Sequence, residues 1–172
     1  MSILATVLLA AGALPVHGEL PSGWRPPNAR ELADPMLQQS PNKFTRAIAD
    51  FNADGRQDTA LLLIRRKSSD EALWIHLSDR DGGYHWIKLD HIKGSASHPD
   101  ASLAMAIDVE PPGIVAYACF DYAEDCNFGP DSGRPKLKLS SPSLMYFRPG
   151  SAASLYFWSN SKQKFLRVWL SD

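Results

Sequence analysis

From Phe44 onward the chain is a succession of short apolar or alternating runs, each closed by Gly, Pro, Asp or Ser. Runs of this length, bounded by turn residues, form strands. They cover residues 44–49, 59–65, 72–78, 84–89, 103–109, 114–120, 136–139, 144–147, 154–158 and 164–170. Leu61 to Ile64 is unbroken and apolar, which predicts a strand buried on both faces. Asp81-Gly82-Gly83 between two such runs is a hairpin signal. About ten strands at spacings near ten residues predict an all-β domain, an antiparallel meander forming a sandwich or a strongly bent sheet. Helical signals are confined to the N-terminal part. Asn28 and Glu31 form a capping arrangement that predicts a short helix as far as Ala33. Asp34-Pro35 can cap a second turn, ended by Ser40-Pro41.

The sequence has 172 residues. Residues 1–18 contain no Lys, Arg, Asp or Glu, and residues 3–14 are nearly all apolar. That run is too short to span a bilayer and reads as a signal peptide cleaved before Glu19, which leaves residues 19–172 as one β-rich domain in the periplasm. The alternative is a buried N-terminal element. No membrane insertion is expected after cleavage. With a net charge of −1 and both signs interspersed, the chain lacks the basic stripe that nucleic-acid binding needs. The two cysteines, Cys119 and Cys126, suit an oxidising compartment and can pair only with each other. A disulfide there would fix the hairpin tip carrying Asp121, Tyr122, Glu124 and Asp125. A zinc pair is the alternative, with no nearby His to complete it.

The most specific short pattern is Asp50-Phe51-Asn52-Ala53-Asp54-Gly55-Arg56-Gln57-Asp58. Asp50, Asn52, Asp54 and Asp58 would supply side-chain oxygens and Arg56 a backbone carbonyl, while Gly55 permits the bend. Ca²⁺ is the expected occupant, in a structural role. Leu61 stands where an EF-hand places its bidentate Glu, and the flanks read as strands, so this is not an EF-hand. It resembles the Asp-x-Asn-x-Asp-Gly-x-x-Asp calcium loops of FG-GAP and VCBS repeat proteins. The other reading is a metal-free turn rich in side-chain-to-backbone bonds.

Enzyme signatures are not found: there is no Gly-x-Ser-x-Gly elbow and no His-Glu-x-x-His. Ser95, Ser97 and His98 share a small-residue loop that begins at Gly94, with Asp100 and Ser102 beside them. Three such residues in sequence rarely face one another, so a polar loop is expected. His76 and His85 could meet across a hairpin as a metal pair, but half-buried sheet residues are the expectation. Aromatic residues crowd the disulfide and the C-terminal strands. More of them are present than alternating strands can bury, which suggests a recognition patch for a protein or a carbohydrate.

The Gly23-Trp24-Arg25 segment, the short helix, the single calcium-type loop and a closing hairpin that ends in Trp169 to Asp172 resemble small exported proteins of Gram-negative bacteria. In size and layout the chain is similar to periplasmic immunity proteins of type VI secretion effectors that attack peptidoglycan. That resemblance implies a non-catalytic protein whose partner is a secreted peptidoglycan hydrolase, blocked by a polar loop. The partner-binding residues would be Ser95, Ser97, His98 and Ser102, or Asp121, Tyr122, Glu124 and Asp125 on the disulfide tip. The alternative is a periplasmic carbohydrate- or peptidoglycan-binding module with a structural calcium site.

Overall fold

A computed structural model describes residues 19–79, 81–94 and 102–172. Its strands are β1 (Trp24–Arg25), β2 (Arg46–Ala49), β3 (Asp58–Arg65), β4 (Glu71–Ser78), β5 (Tyr84–Ile92), β6 (Ala106–Glu110), β7 (Gly113–Ala116), β8 (Cys119–Phe120), β9 (Lys136–Leu139), β10 (Ser143–Phe147), β11 (Ala153–Ser159) and β12 (Lys164–Ser171). The helices are α1 (Pro35–Gln39) and α2 (Pro41–Thr45). The fold is all-β and antiparallel, and of the two expected forms it is the sandwich.

The first sheet has the order β1-β3-β4-β5, with β2 also pairing to β3. The second has the order β6-β10-β11-β12-β8. Ala60, Leu62 and Ile64 of β3 and Leu73, Ile75 and Leu77 of β4 share one face, because the register sets Ala60 opposite Ile75 and Leu62 opposite Leu73. They pack against Ile107, Leu144, Tyr146 and Tyr156 of the second sheet to form the main core. The opposite face of β3 is buried too. Leu61 and Leu63 join Ala72 and Trp24 in a second cluster, over which Leu20, Trp74 and Trp86 pack. The unbroken apolar run thus has the environment its composition requires. A third cluster lies on the outer face of the second sheet, where Leu155 and Val168 meet Leu139 of β9. The two-stranded β7–β9 ribbon supplies that cover.

Simple hairpin succession holds from β2 to β5 and from β10 to β12, and it breaks between them. The run expected over residues 114–120 is two strands. β7 turns away to β9, whereas β8 closes the edge beside β12. Strand β10 then returns next to β6. Burial explains the split: residues that pair on the ribbon cannot also complete the second sheet.

Two local expectations need correction. Residues 28–33 make one turn and no helix. The capping arrangement forms, with Asn28 Oδ1 accepting from Arg30 N and Glu31 N, and Glu31 Oε2 accepting from Asn28 N. The same carboxylate accepts from Arg25 Nη1 and Nη2, each at 2.7 Å, tying the turn to β1. Asp34, preceding a proline, is held extended at ψ 132 and stops the turn from continuing. It then caps α1 by accepting from Met36 N at 2.8 Å. Ser40-Pro41 ends α1 as expected but also begins α2, so Phe44 and Thr45 are helical and β2 starts only at Arg46. Pro at the first helical position is the common factor in both helices.

Leu144 is fully buried in the main core. Leu144→Ala is expected to destabilise the fold by about 2–5 kcal/mol in urea unfolding. A loss well below 1 kcal/mol would contradict the close packing of the two sheets.

Candidate functional site

The Asp50–Asp58 loop joins β2 to β3, and its side chains turn back on its own backbone. Asp50 accepts from Asp54 N through Oδ1 at 3.0 Å and from Gly55 N through Oδ2 at 2.9 Å. Asn52 Oδ1 also accepts from Asp54 N, and Asp54 Oδ1 accepts from Arg56 N. Gly55 has φ +90, a conformation that L side chains rarely adopt. Asp58 is fully buried, accepting from Phe51 N at 2.9 Å and from Ser78 N at 2.9 Å. It therefore clamps the loop to the end of β4. Burial pushes its carboxyl up to about 6, with the charge of Asp54 adding to the rise.

Among the described residues no group of three His, Cys, Asp or Glu side chains is set as a metal cage. The donor chemistry nevertheless suits a hard cation. The Asp50 oxygens each retain a second lone pair beyond one amide contact, and Asp50, Asp54 and Asp58 bring three acids to one short loop.

The second expected feature is the disulfide, which joins Cys119 to Cys126. Its base is ordered: Cys119 is buried and pairs with Trp169, while Asn127 N donates to Ala118 O at 3.2 Å. Arg134 donates to Leu170 O and Phe128 O, holding the following loop against β12. Between these anchors, residues 121–128 are all exposed. Tyr122 is 71% exposed, and its ring stacks on Phe120 with centroids 5.3 Å apart. Asp121, Glu124 and Asp125 stand on the same tip.

Ser95, Ser97 and His98 lie outside the described residues. Ser102, at the end of that loop, is exposed. His76 and His85 do not meet. The register pairs His76 with Trp86 and Leu77 with His85, which places the two imidazoles on opposite faces. His76 packs between Tyr84 and Trp86 at 4.4 and 4.6 Å, whereas His85 Nδ1 lies 3.3 Å from Asp79.

A polar network between the sheets has no counterpart in the sequence reading. The β4–β5 register shifts between Leu73 and Trp74, so Lys88 pairs with Trp74 but Asp90 pairs with Leu73, leaving Leu89 extra. Strict alternation would put Asp90 on the outer face with Lys88. The bulge turns it inward instead. There Asp90 Oδ2 accepts from Arg167 Nη1 at 3.2 Å and from Tyr156 Oη at 3.2 Å, bridging the two sheets. The Arg167 guanidinium also lies over the Trp169 ring at 4.0 Å. Alternating hydrophobicity carries no sign of a bulge, and Asp90 lies just beyond the run expected over residues 84–89.

No family model, curated protein or solved structure matches the chain.

Buried Glu71 yields a pH prediction. Its Oε2 accepts from Ala104 N at 2.7 Å, and burial pushes its carboxyl from 4.5 up to about 7, with Asp90 adding to the rise. The folded state thus holds this proton more tightly than the unfolded chain, so stability is full below pH 4.5 and declines as pH rises to about 7. In metal-free protein Asp58 acts in the same sense from pH 3.8 to about 6. Between pH 4.5 and 7 the melting temperature of chelator-treated protein should fall with rising pH, and Glu71→Gln should flatten the upper part of the decline. An equally steep decline in the variant would remove Glu71 as its source.

Proposed function

We propose that the chain is a non-catalytic periplasmic binding protein, an immunity-type inhibitor that occludes the active site of a secreted peptidoglycan hydrolase. The disulfide-closed tip carries this reading. A closed loop on an anchored base has little conformational freedom left to lose on binding, so its contacts convert efficiently into affinity. Tyr122 offers an aromatic anchor of the kind that dominates interfaces, and Asp121, Glu124 and Asp125 suit a cleft with a cationic or imidazole-bearing wall. The loop that ends at Ser102 is the second contact in this reading, through Ser95, Ser97, His98 and Ser102.

The test is titration calorimetry against a secreted Cys–His peptidoglycan amidase encoded beside this chain, with an assay of its hydrolytic activity. Tight binding and inhibition are expected. Tyr122→Ala should weaken binding by about 2 kcal/mol, roughly thirtyfold. No binding and no inhibition would overturn the proposal.

One observation favours a second reading as a peptidoglycan- or carbohydrate-binding module. Trp74, Trp86, His76 and Tyr84 form a continuous row of ring contacts on the outer face of the first sheet, ending at half-exposed Tyr84. Pull-down with cell-wall sacculi, lost in Tyr84→Ala, would support it over the inhibitor.

In either case the Asp50–Asp58 loop is proposed to hold Ca²⁺ through Asp50, Asn52, Asp54, Asp58 and the Arg56 carbonyl. The ion would neutralise three clustered acids and lock β2 to β3. Adding Ca²⁺ to chelator-treated protein should raise the melting temperature, and Asp50→Ala should abolish that rise. An unchanged melting temperature in the native protein sinks the calcium role.

A further inference from the structure

Trp24 and Leu20 cover one end of the outer face of the first sheet, where they pack with Leu61, Leu63 and Ala72. At the other end the register lines up Ile48, Thr59, His76 and Trp86 across β2 to β5, and pairs Ser78 with Tyr84 in the next row. A groove of about 690 Å³ opens there, lined by Ile48, Thr59, Ser78 and Tyr84 among others. That volume suits a small ligand. Tyr84 is half exposed, and its ring packs against buried His76 with centroids 4.4 Å apart. His76 packs in turn against Trp86 at 4.6 Å. The phenol ring is therefore set in place before any ligand arrives.

The groove has one sign of charge. Arg46 of β2 and Arg56 of the Asp50–Asp58 loop line it, and among the described residues no Asp or Glu does. The loop sorts its charges by side. Asp58 is buried on Phe51 N and Ser78 N, and Asp50 accepts from the amides of Asp54 and Gly55. Asp54 lines a separate opening, together with Leu77, Asp79 and His85. Arg56 is thus the one charged residue of the loop that lines the groove. Asp81, in the turn that brings Gly82 and Gly83 to the groove, does not line it and accepts from Gly83 N. Two guanidiniums, the hydroxyls of Thr59 and Ser78 and a buttressed phenol ring together match a ligand with a flat apolar face, hydroxyl groups and a negative charge. A saccharide offers the first two, and a carboxylate on it offers the third.

We infer that the groove between Arg46, Arg56 and Tyr84 binds a carboxylate-bearing saccharide. The sugar ring would lie against Tyr84, and the carboxylate would accept from the guanidiniums. An uncharged sugar would gain nothing from the two cations. The inference rests on the reading of the chain as a carbohydrate-binding module and names the ligand of that module. The disulfide tip belongs to the second sheet, so the inhibitor reading neither requires nor forbids it.

The test is an NMR titration of the whole chain with N-acetylmuramic acid, N-acetylglucosamine and lactate, followed at the amides of Thr59 and Tyr84. The two sugars share one ring and differ by a lactyl carboxylate. N-acetylmuramic acid should bind at least about tenfold more tightly than either of the others, and its advantage over the neutral sugar should shrink as salt is raised. Arg56→Gln, at an exposed position, keeps the backbone carbonyl of the loop and should reduce that advantage to within about threefold. Lys88→Gln, on the same face but outside the groove, should leave it intact. Tyr84→Ala should weaken the acidic sugar about tenfold without changing the weak binding of lactate. Equal binding of the two sugars, lactate binding as tightly as the acidic sugar, an equal loss in Lys88→Gln, or no binding of any of the three overturns the proposal. Capture by cell-wall sacculi separates this failure from that of the carbohydrate reading. Sacculi retained without the acid preference leave the module standing and remove only its ligand, whereas loss of both removes the module as well.

Discussion

Strand β3 is where the rest of the structure is held. It is apolar on both faces, so it must be covered twice, and each cover is a different part of the chain. The inner face takes the second sheet. The outer face takes Trp24 and the N-terminal strap, with Glu31 and Arg25 holding that strap in place by charge-assisted bonds. Burial of this one strand thus sets the order of layers. Its first residue, Asp58, extends the same logic into polar chemistry. A fully buried carboxylate that accepts from Phe51 and Ser78 fixes the loop on one side and β4 on the other.

The two ends of the sandwich differ in character. Apolar packing dominates around Leu62, Leu73 and Leu144, where shape alone determines fit. Toward Asp90 the interior becomes polar, and the sheets are joined by Tyr156, Arg167 and a carboxylate delivered by a bulge. The network continues outward. Asp121, at the root of the disulfide tip, accepts from Trp169 Nε1 at 3.1 Å, and Trp169 also carries the Arg167 guanidinium on its ring. The exposed tip and the inter-sheet polar network thus share a common base on β12.

Much of this was legible in the residues. Short runs between turn residues specified the strands, and the continuous apolar stretch of β3 specified its double burial. Cys119 and Cys126, as the only thiols, left one pairing. The loop between β2 and β3 was legible in its side-chain-to-backbone bonds, which Asp and Asn at alternate positions make locally. Less legible were features governed by competition. The Asn28 turn has every local mark of a helix start, but Pro35 and the pull of Arg25 on Glu31 end it after one turn. The division of residues 114–120 between a ribbon and a sheet edge depends on which partners are already taken.

By itself, then, the sequence determined most of the strands, the antiparallel class, the disulfide and the composition of the acidic loop. These follow from local sterics, from hydrophobic period and from the supply of thiols. The tertiary structure decided which strands became neighbours, that His76 and His85 face apart, and that Asp90 points into the sandwich. Each of those depends on register, and one extra residue in β5 reverses the face of every side chain after it.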